Sequence, residues 1–130
     1  MHIGYGQYKT SQVLTASPAD LVVLTYDVAL RALRQAVTAM DGGDINRAHS
    51  GLVKAQRALE ELQLALDRNV GDVAEQLHGL YGFFIDELVV ANVQKDAVRV
   101  VKVLDLVEDL AQTWRTVAAQ VVPGVVAQSA

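Results

Sequence analysis

The chain has 130 residues, of which 52% are apolar and only 5% aromatic, and it carries a formal net charge of −4. The length suits one domain, and a composition dominated by Ala, Val and Leu favours packed helices. The acidic balance argues against nucleic-acid partners, and the absence of cysteine excludes disulfides, thiolate metal sites and a cysteine nucleophile.

The sequence shows no targeting or membrane-spanning segment. Its first twenty residues contain neither a basic stretch nor an apolar one of the kind found in secretory signals. Charged or amide side chains interrupt every helical stretch, so none reaches the roughly 18 consecutive apolar residues of a membrane span. We therefore expect a cytoplasmic protein that does not insert into membranes.

The first predicted helix spans residues 18–40. It follows an N-terminal segment, residues 1–16, that we expect to be flexible or short-helical. Ser17 can cap the helix, and Pro18 suits its first position, where the missing backbone N–H costs nothing.

The second predicted helix spans residues 45–66. Gly42 and Gly43 form the preceding turn, since glycine readily adopts the left-handed conformation that ends a helix. Asp44 is predicted to cap the second helix with its side chain.

Two further helices are predicted in the C-terminal half, over residues 72–92 and 96–121. Asp72 is the predicted cap of the third helix. Pro123 and Gly124 end the fourth helix, and residues 123–130 are expected to form a loose tail.

Each predicted helix carries apolar residues at alternating steps of three and four, which places them on one face. Four such helices with short loops predict an all-α domain over residues 17–122, an antiparallel up-down-up-down four-helix bundle with these faces inward. The inward positions are Val22, Tyr26, Ala29, Leu33, Ala36 and Met40, then Ile45, Ala48, Leu52, Ala55, Leu59, Leu62 and Leu66, then Ala74, Leu77, Tyr81, Phe84, Leu88 and Ala91, and finally Ala97, Val100, Leu104, Val107, Ala111, Trp114, Ala118 and Val121.

The last two helices carry more apolar residues than one inward face requires. In the fourth helix, Val103, Leu106, Leu110 and Val117 form a second series offset from the first. Such a series can simply widen the buried stripe. Alternatively, part of it is exposed and forms a partner site, which would also explain the high mean hydropathy of +0.23.

Catalytic and metal sites find little support in the sequence. Glu75 and His78 have the spacing of the Glu-x-x-His pair of di-iron bundles, but no second pair accompanies them. A surface ion pair, or two free side chains, is the simpler interpretation of these two residues. No serine lies in a nucleophile motif, and no glycine-rich phosphate loop is present. We therefore expect neither an enzyme nor a cofactor.

An ordered series of residues runs along the chain through all four predicted helices. These residues are Tyr8, Gln12, Val13, Thr15 to Pro18, Leu21, Leu24, Tyr26, Asp27, Lys54 to Gln56, Glu61, Leu62, Leu66 to Asn69, Leu80, Tyr81, Leu88, Ala91, Asn92, Asp96 and Trp114. The series resembles the flagellar secretion chaperone family, FliS. The resemblance implies an antiparallel helical bundle that binds the disordered C-terminal segment of flagellin in the cytoplasm. It also implies that the chain prevents premature polymerisation and delivers flagellin to a component of the flagellar type III export gate.

The resemblance also implies where the client is bound. Tyr8 matches a tyrosine of an N-terminal segment that, in the family, can cover the client groove until displaced. The acidic pair Asp86 and Glu87 departs from a commonly basic pair, which predicts a client with a differently charged tail. Client contacts are expected at the family-like positions Leu80, Phe83, Ala91 and Asn92 and, from the second apolar series, at Val103, Leu106 and Leu110.

A second interpretation of the same apolar surface stays open. The chain could be a self-associating helical adaptor or a regulatory bundle with a partner other than flagellin. A homodimer is compatible with either interpretation, and a mass that rises with concentration in the absence of client would favour the second.

Overall fold

The computed structural model describes residues 18–120, which form four α-helices and contain no β-strand. The predicted N-terminal segment, the Ser17 cap and the tail after residue 122 lie outside the described residues. The helices are α1 (Pro18–Asp41), α2 (Ile45–Ala65), α3 (Asp72–Gln94) and α4 (Ala97–Gln120).

The four helices form a closed ring in which α1 packs against α2 and α4, and α3 packs against the same two helices. Contacts between opposite helix ends show that neighbours are antiparallel. His49 near the start of α2 is hydrogen-bonded to Asn92 near the end of α3, and Arg115 near the end of α4 is paired with Asp27 near the start of α1. The predicted fold class, an all-α four-helix bundle, is confirmed.

Short turns join the helices, and their residues follow the capping rules with one exception. Gly43 has a positive φ of 71°, and Asp44 caps α2 as predicted, because its Oδ1 accepts from the backbone N–H of Arg47 at 3.1 Å. The predicted Asp72 cap is wrong. Gly71, with φ 148°, precedes α3, and Asp72 is the first helical residue, where its carboxylate lies near the positive end of the helix dipole.

The core lies along the bundle axis and consists largely of the predicted inward positions. Ile45 is the clear exception, because 63% of it is exposed. It occupies the first position of α2, at the end of the bundle, where few neighbouring side chains reach it. The largest fully buried side chains are Tyr26, Leu30, Leu33, Leu52, Leu59, Tyr81, Phe84, Leu88, Val100, Val103 and Val107.

The helices α1 and α2 approach each other most closely at Gly51. A Cβ atom at this position would lie only 2.9 Å from the carbonyl oxygen of Ala32 and 3.1 Å from the backbone nitrogen of Ala36. Small residues let helix backbones come this close, so the α1–α2 pair forms the tightest side of the bundle.

Candidate functional site

The α3–α4 pair is the most loosely packed of the four contacts between neighbouring helices. An open cleft of about 400 Å³ lies between the N-terminal half of α3 and the C-terminal half of α4. Mostly apolar clefts with a few polar side chains are typical binding sites. The residues that line this α3–α4 cleft are Val73, Gln76, Leu77, Leu80, Leu110, Thr113, Trp114 and Val117.

Phe83 and Leu106 extend the apolar surface beyond the cleft. Phe83 follows Leu80 by three residues and Leu106 precedes Leu110 by four, so each lies one helical turn from a lining residue on the same side of its helix. Their exposed fractions are 50% and 46%. Apolar side chains that continue a cleft in this way are typical of a surface that a partner covers.

Polar side-chain contacts bridge two of the other seams, the lines along which neighbouring helices meet. Between α1 and α4, Nη2 of Arg115 lies 3.1 Å from Oδ1 of Asp27. Between α2 and α3, the side-chain amide of Gln63 donates to the carbonyl oxygen of His78 at 3.0 Å. Where the N-terminal half of α3 faces the C-terminal half of α4, the seam has apolar walls instead. This part of the seam suits an apolar segment of another protein.

One ion pair closes the opposite end of the α3–α4 seam. Nη1 of Arg99 lies 2.7 Å from Oε2 of Glu87, and Asp96 lies near the same guanidinium group, with 3.6 Å between Nε and Oδ2. The hydrogen bond to Glu87 raises the pKa of Arg99. Glu87 belongs to the acidic pair that is predicted to influence the choice of client. Its negative charge is paired with Arg99 of the same chain, whereas Asp86 is exposed.

A pair of tyrosines lies in the core of the bundle. The hydroxyl oxygens of Tyr26 and Tyr81 are 2.6 Å apart in the core, and their rings meet edge to face with centroids 6.3 Å apart. Trp114 packs against this core and also lines the cleft. Burial raises the pKa of both tyrosines, and the hydrogen bond with Tyr81 raises that of Tyr26 further. Both hydroxyls therefore remain protonated in the folded chain at neutral pH.

Stability should fall in alkaline solution because of this tyrosine pair. The folded state retains both phenolic protons, while the unfolded chain releases them above the usual pKa of 10.0. The contribution of each tyrosine to stability is present below pH 10 and is lost as the pH rises above that value. Urea unfolding at pH 8, 9, 10 and 10.5 should show a constant free energy of unfolding up to pH 9 and then a decline.

The matched control for the pH experiment is the double variant Tyr26→Phe/Tyr81→Phe, which keeps both rings but has no phenolic proton at either site. Its free energy of unfolding should decline much less above pH 10. An equal decline in both proteins would contradict the assignment to this pair.

The structure places the sequence-predicted client contacts in different surroundings. Leu80 and Leu110 line the cleft, and Phe83 and Leu106 are exposed beside it. Asn92 lies near the C-terminal end of α3, away from the cleft, where its side chain is hydrogen-bonded to His49 and to the ammonium group of Lys95. The predicted contact of Tyr8 lies outside the described residues.

Ala91 and Val103 are not available to a partner, because 0% and 2% of their surface is exposed. Val103 lies three residues after Val100 and four before Val107, so it completes the buried stripe of α4 instead of adding to the surplus series. For Val103, the interpretation that the series only widens the buried stripe is therefore correct.

Sequence reasoning did not place six of the eight cleft residues among the client contacts. Gln76 and Thr113 are polar, so the apolar pattern could not identify them. Val73 and Val117 are apolar residues outside the predicted inward positions, so a signal for them was present. Leu77 and Trp114 were assigned to the core alone. Both are half-buried, with one side on the core and the other on the cleft, a distinction that helical periodicity does not contain.

The Glu75–His78 pair shows no metal-binding arrangement. Oε1 of Glu75 lies 2.7 Å from Nε of Arg68, and this contact lowers the pKa of Glu75. Within residues 18–120, no group of three His, Asp or Glu side chains is placed to hold a metal ion. None of the four described helices is long and apolar enough to cross a membrane.

The known proteins that this chain is similar to carry the name of one family. The Flagellar protein FliS family matches residues 1–121. The protein named Flagellar secretion chaperone FliS of Bacillus subtilis is 30% identical, covering 85% of this chain and 83% of its own length. Its namesake in Salmonella typhimurium is 31% identical, covering 83% and 82%, and that of Campylobacter jejuni is 29% identical, covering 89% and 91%.

A solved structure supports the same fold. A bacterial protein described as a flagellar chaperone superposes with a TM-score of 0.74, covering 91% of this chain and 97% of its own, at 18% identity. At this level of identity the likeness supports the fold, while the sequence matches establish the family. The chain belongs to the FliS family of flagellar secretion chaperones.

Proposed function

We propose that the α3–α4 cleft and its apolar margin bind the disordered C-terminal segment of flagellin. The chain thereby prevents premature polymerisation in the cytoplasm and delivers its client to a component of the flagellar export gate. The observation that carries this proposal is the open apolar cleft at the most loosely packed of the four contacts between neighbouring helices.

The dimensions of the cleft suit a short helical segment. Leu106 in the apolar margin and Val117 in the cleft are eleven residues apart along α4, or about 16 Å at 1.5 Å per residue. A partner helix of about three turns can lay one apolar face against this length, with contacts at every third or fourth residue. A segment that folds on binding loses conformational entropy, so the complex can be specific and still release its client at the export gate.

Calorimetric titration tests the proposal. The full chain is titrated with a peptide of the C-terminal segment of flagellin from the same organism, and separately with a peptide that lacks its last helix. We expect one-to-one binding with a negative heat-capacity change for the longer peptide, because apolar surface is buried, and weaker binding for the shorter one.

Absence of heat with both peptides, at several temperatures, would contradict flagellin binding. The alternative is a self-associating adaptor with another partner. Leu64, Val70 and Val93 favour this alternative, because they are strongly exposed outside the cleft. Light scattering over a range of concentrations is the second measurement, since the alternative requires a mass that rises with concentration without client, whereas flagellin binding does not require it.

A further inference from the structure

The α3–α4 cleft is apolar up to the end of the bundle where α4 ends. Val73 in the first turn of α3 and Val117 in the last turn of α4 both line it there. Val70, in the connection that precedes α3, and Val73 are 76% and 70% exposed. Burial of such side chains is favourable, so an apolar segment that reaches this end of the cleft gains free energy by covering it.

Residues 121–130, called here the Val121–Ala130 segment, follow α4 at this end of the bundle and lie outside the described residues. Their sequence contains no charged side chain and four valines, which are Val121, Val122, Val125 and Val126. The Pro-Gly pair between the valines is typical of the two central positions of a tight turn. The sequence therefore combines apolar residues with a turn that can reverse the direction of the chain.

The Val121–Ala130 segment is long enough to run back along the cleft. Leu110 and Gln120 are ten residues apart in α4, or about 15 Å at 1.5 Å per residue. After a turn at the Pro-Gly pair, residues 125–130 span up to about 20 Å when extended. The segment therefore reaches the whole length of the cleft.

The two ends of the chain differ in their relation to the cleft. Residues 1–16 precede α1, and no residue of this helix lines the cleft. Val121 directly follows the last residue of α4, which forms one wall of the cleft. The family match ends at residue 121, so a role for the Val121–Ala130 segment does not follow from the family.

We propose that the Val121–Ala130 segment folds back over the α3–α4 cleft in the free protein and leaves it when a partner binds. Because the segment is joined to α4, its effective concentration at the cleft is high, and a small apolar contact is sufficient. No charged group of the segment has to leave water. The sequence alone predicts a loose tail over residues 123–130, and the cleft supplies the surface against which this tail packs.

The cover is reversible because the contact is small. In the molecules in which the segment has left, the cleft is open to a client. A charged side chain introduced into the cleft displaces the segment and stays hydrated.

The first test locates the segment in the free full chain by NMR. The chain contains no cysteine, so Gln128→Cys supplies a single attachment site for a nitroxide label. We expect the label to broaden the backbone amide signals of Leu77 and Leu110 in the cleft and to leave the signal of Leu64 sharp.

Leu64 is the matched reference for this experiment. The hydrogen bond from Gln63 to His78 sets Leu64 level with Leu77 along the bundle, but on α2 and outside the cleft. Equal broadening at Leu64 and Leu77, or sharp signals at both, would overturn the proposal. Nitroxide-labelled chains mixed with isotope-labelled chains form the second control. Broadening in that mixture would mean that the segment occupies the cleft of a second copy, which would also overturn it.

The second test uses the emission of Trp114, the single tryptophan of the chain, which lines the cleft. In Val125→Ser/Val126→Ser we expect emission shifted to longer wavelength and stronger acrylamide quenching, because water replaces the valines beside the indole. Val93→Ser/Val98→Ser makes the same change at two exposed positions outside the cleft and should leave both quantities unchanged. Wild-type emission and quenching in Val125→Ser/Val126→Ser would contradict the cover.

The effect on client binding rests on the proposed function. A cleft that is covered in about four of five molecules has an apparent affinity about fivefold weaker than an open one. Val125→Ser/Val126→Ser should therefore bind the flagellin peptide about fivefold more tightly than the wild-type chain in calorimetric titration, and equal affinities would overturn competition between segment and client. If neither protein binds the peptide, the proposed function fails, while the NMR and emission measurements still decide whether the segment covers the cleft, because they need no partner.

Discussion

Replacing Leu110 by aspartate is expected to weaken binding of the flagellin peptide by at least about 100-fold, which corresponds to about 2.7 kcal/mol. Leu110 lines the cleft, and a carboxylate there would have to leave water when an apolar partner face covers it. Burying a charge without a partner costs several kcal/mol. In the free protein the cleft is open, so the carboxylate can stay hydrated and the helix content should change little.

The matched control for this substitution is Leu64→Asp. Leu64 is 84% exposed on α2 and does not line the cleft, so the same chemical change should leave affinity within about twofold of wild type. Leu106→Asp is a second variant, in the apolar margin of the cleft, at a position that is more exposed than Leu110, so the substitution costs less stability. Wild-type affinity in both Leu110→Asp and Leu106→Asp, with intact circular dichroism, would refute the placement of the client in the α3–α4 cleft and its margin.

The fold could be predicted from the sequence because its determinants are local. Apolar residues at steps of three and four identify the inward faces, and Pro18, Gly43 and Asp44 mark where helices begin and end. Such signals require no knowledge of which helix packs against which. The exceptions, Ile45 and Asp72, both lie in the first turn of a helix, where a position in the periodic pattern does not guarantee a neighbour or a capping role.

The candidate site could be predicted only in part, because it depends on relations between helices. The apolar surplus on α3 and α4 was visible in the sequence, and Leu80 and Leu110 do line the cleft. Which of the additional apolar residues faces the core depends on the side from which a neighbouring helix approaches. This direction separates buried Val103 from exposed Leu106. The number and spacing of the apolar residues do not specify the direction of approach.

The Tyr26–Tyr81 contact illustrates the same limit. The two residues are 55 positions apart and lie on helices that are not consecutive in the chain. Helical periodicity assigned each of them to the core, but their hydroxyl contact depends on the register of α1 against α3. That register follows from the packing of the whole ring of helices.

Gly51→Ala is expected to destabilise the bundle by about 1–3 kcal/mol, although alanine is the better helix former. The added Cβ would lie 2.9 Å from the carbonyl oxygen of Ala32 and 3.2 Å from the Cβ of Ala36. These atoms belong to the backbone or to a side chain without rotatable bonds, so they cannot turn away. The helices α1 and α2 must therefore move apart, which loosens the tightest side of the core. Urea unfolding of the purified variant measures the loss.

Gly79→Ala makes the same substitution within α3, where a Cβ would meet no atom within 4 Å. Here only the helix propensity acts, and alanine should stabilise the chain by about 0.5–1 kcal/mol. The two variants share one chemical change and differ only in their surroundings, so opposite signs would isolate the effect of close helix approach. Stabilisation by both would mean that α1 and α2 can separate at little cost, and the α1–α2 side would then lose its place as the rigid part of the bundle on which the α3–α4 cleft is built.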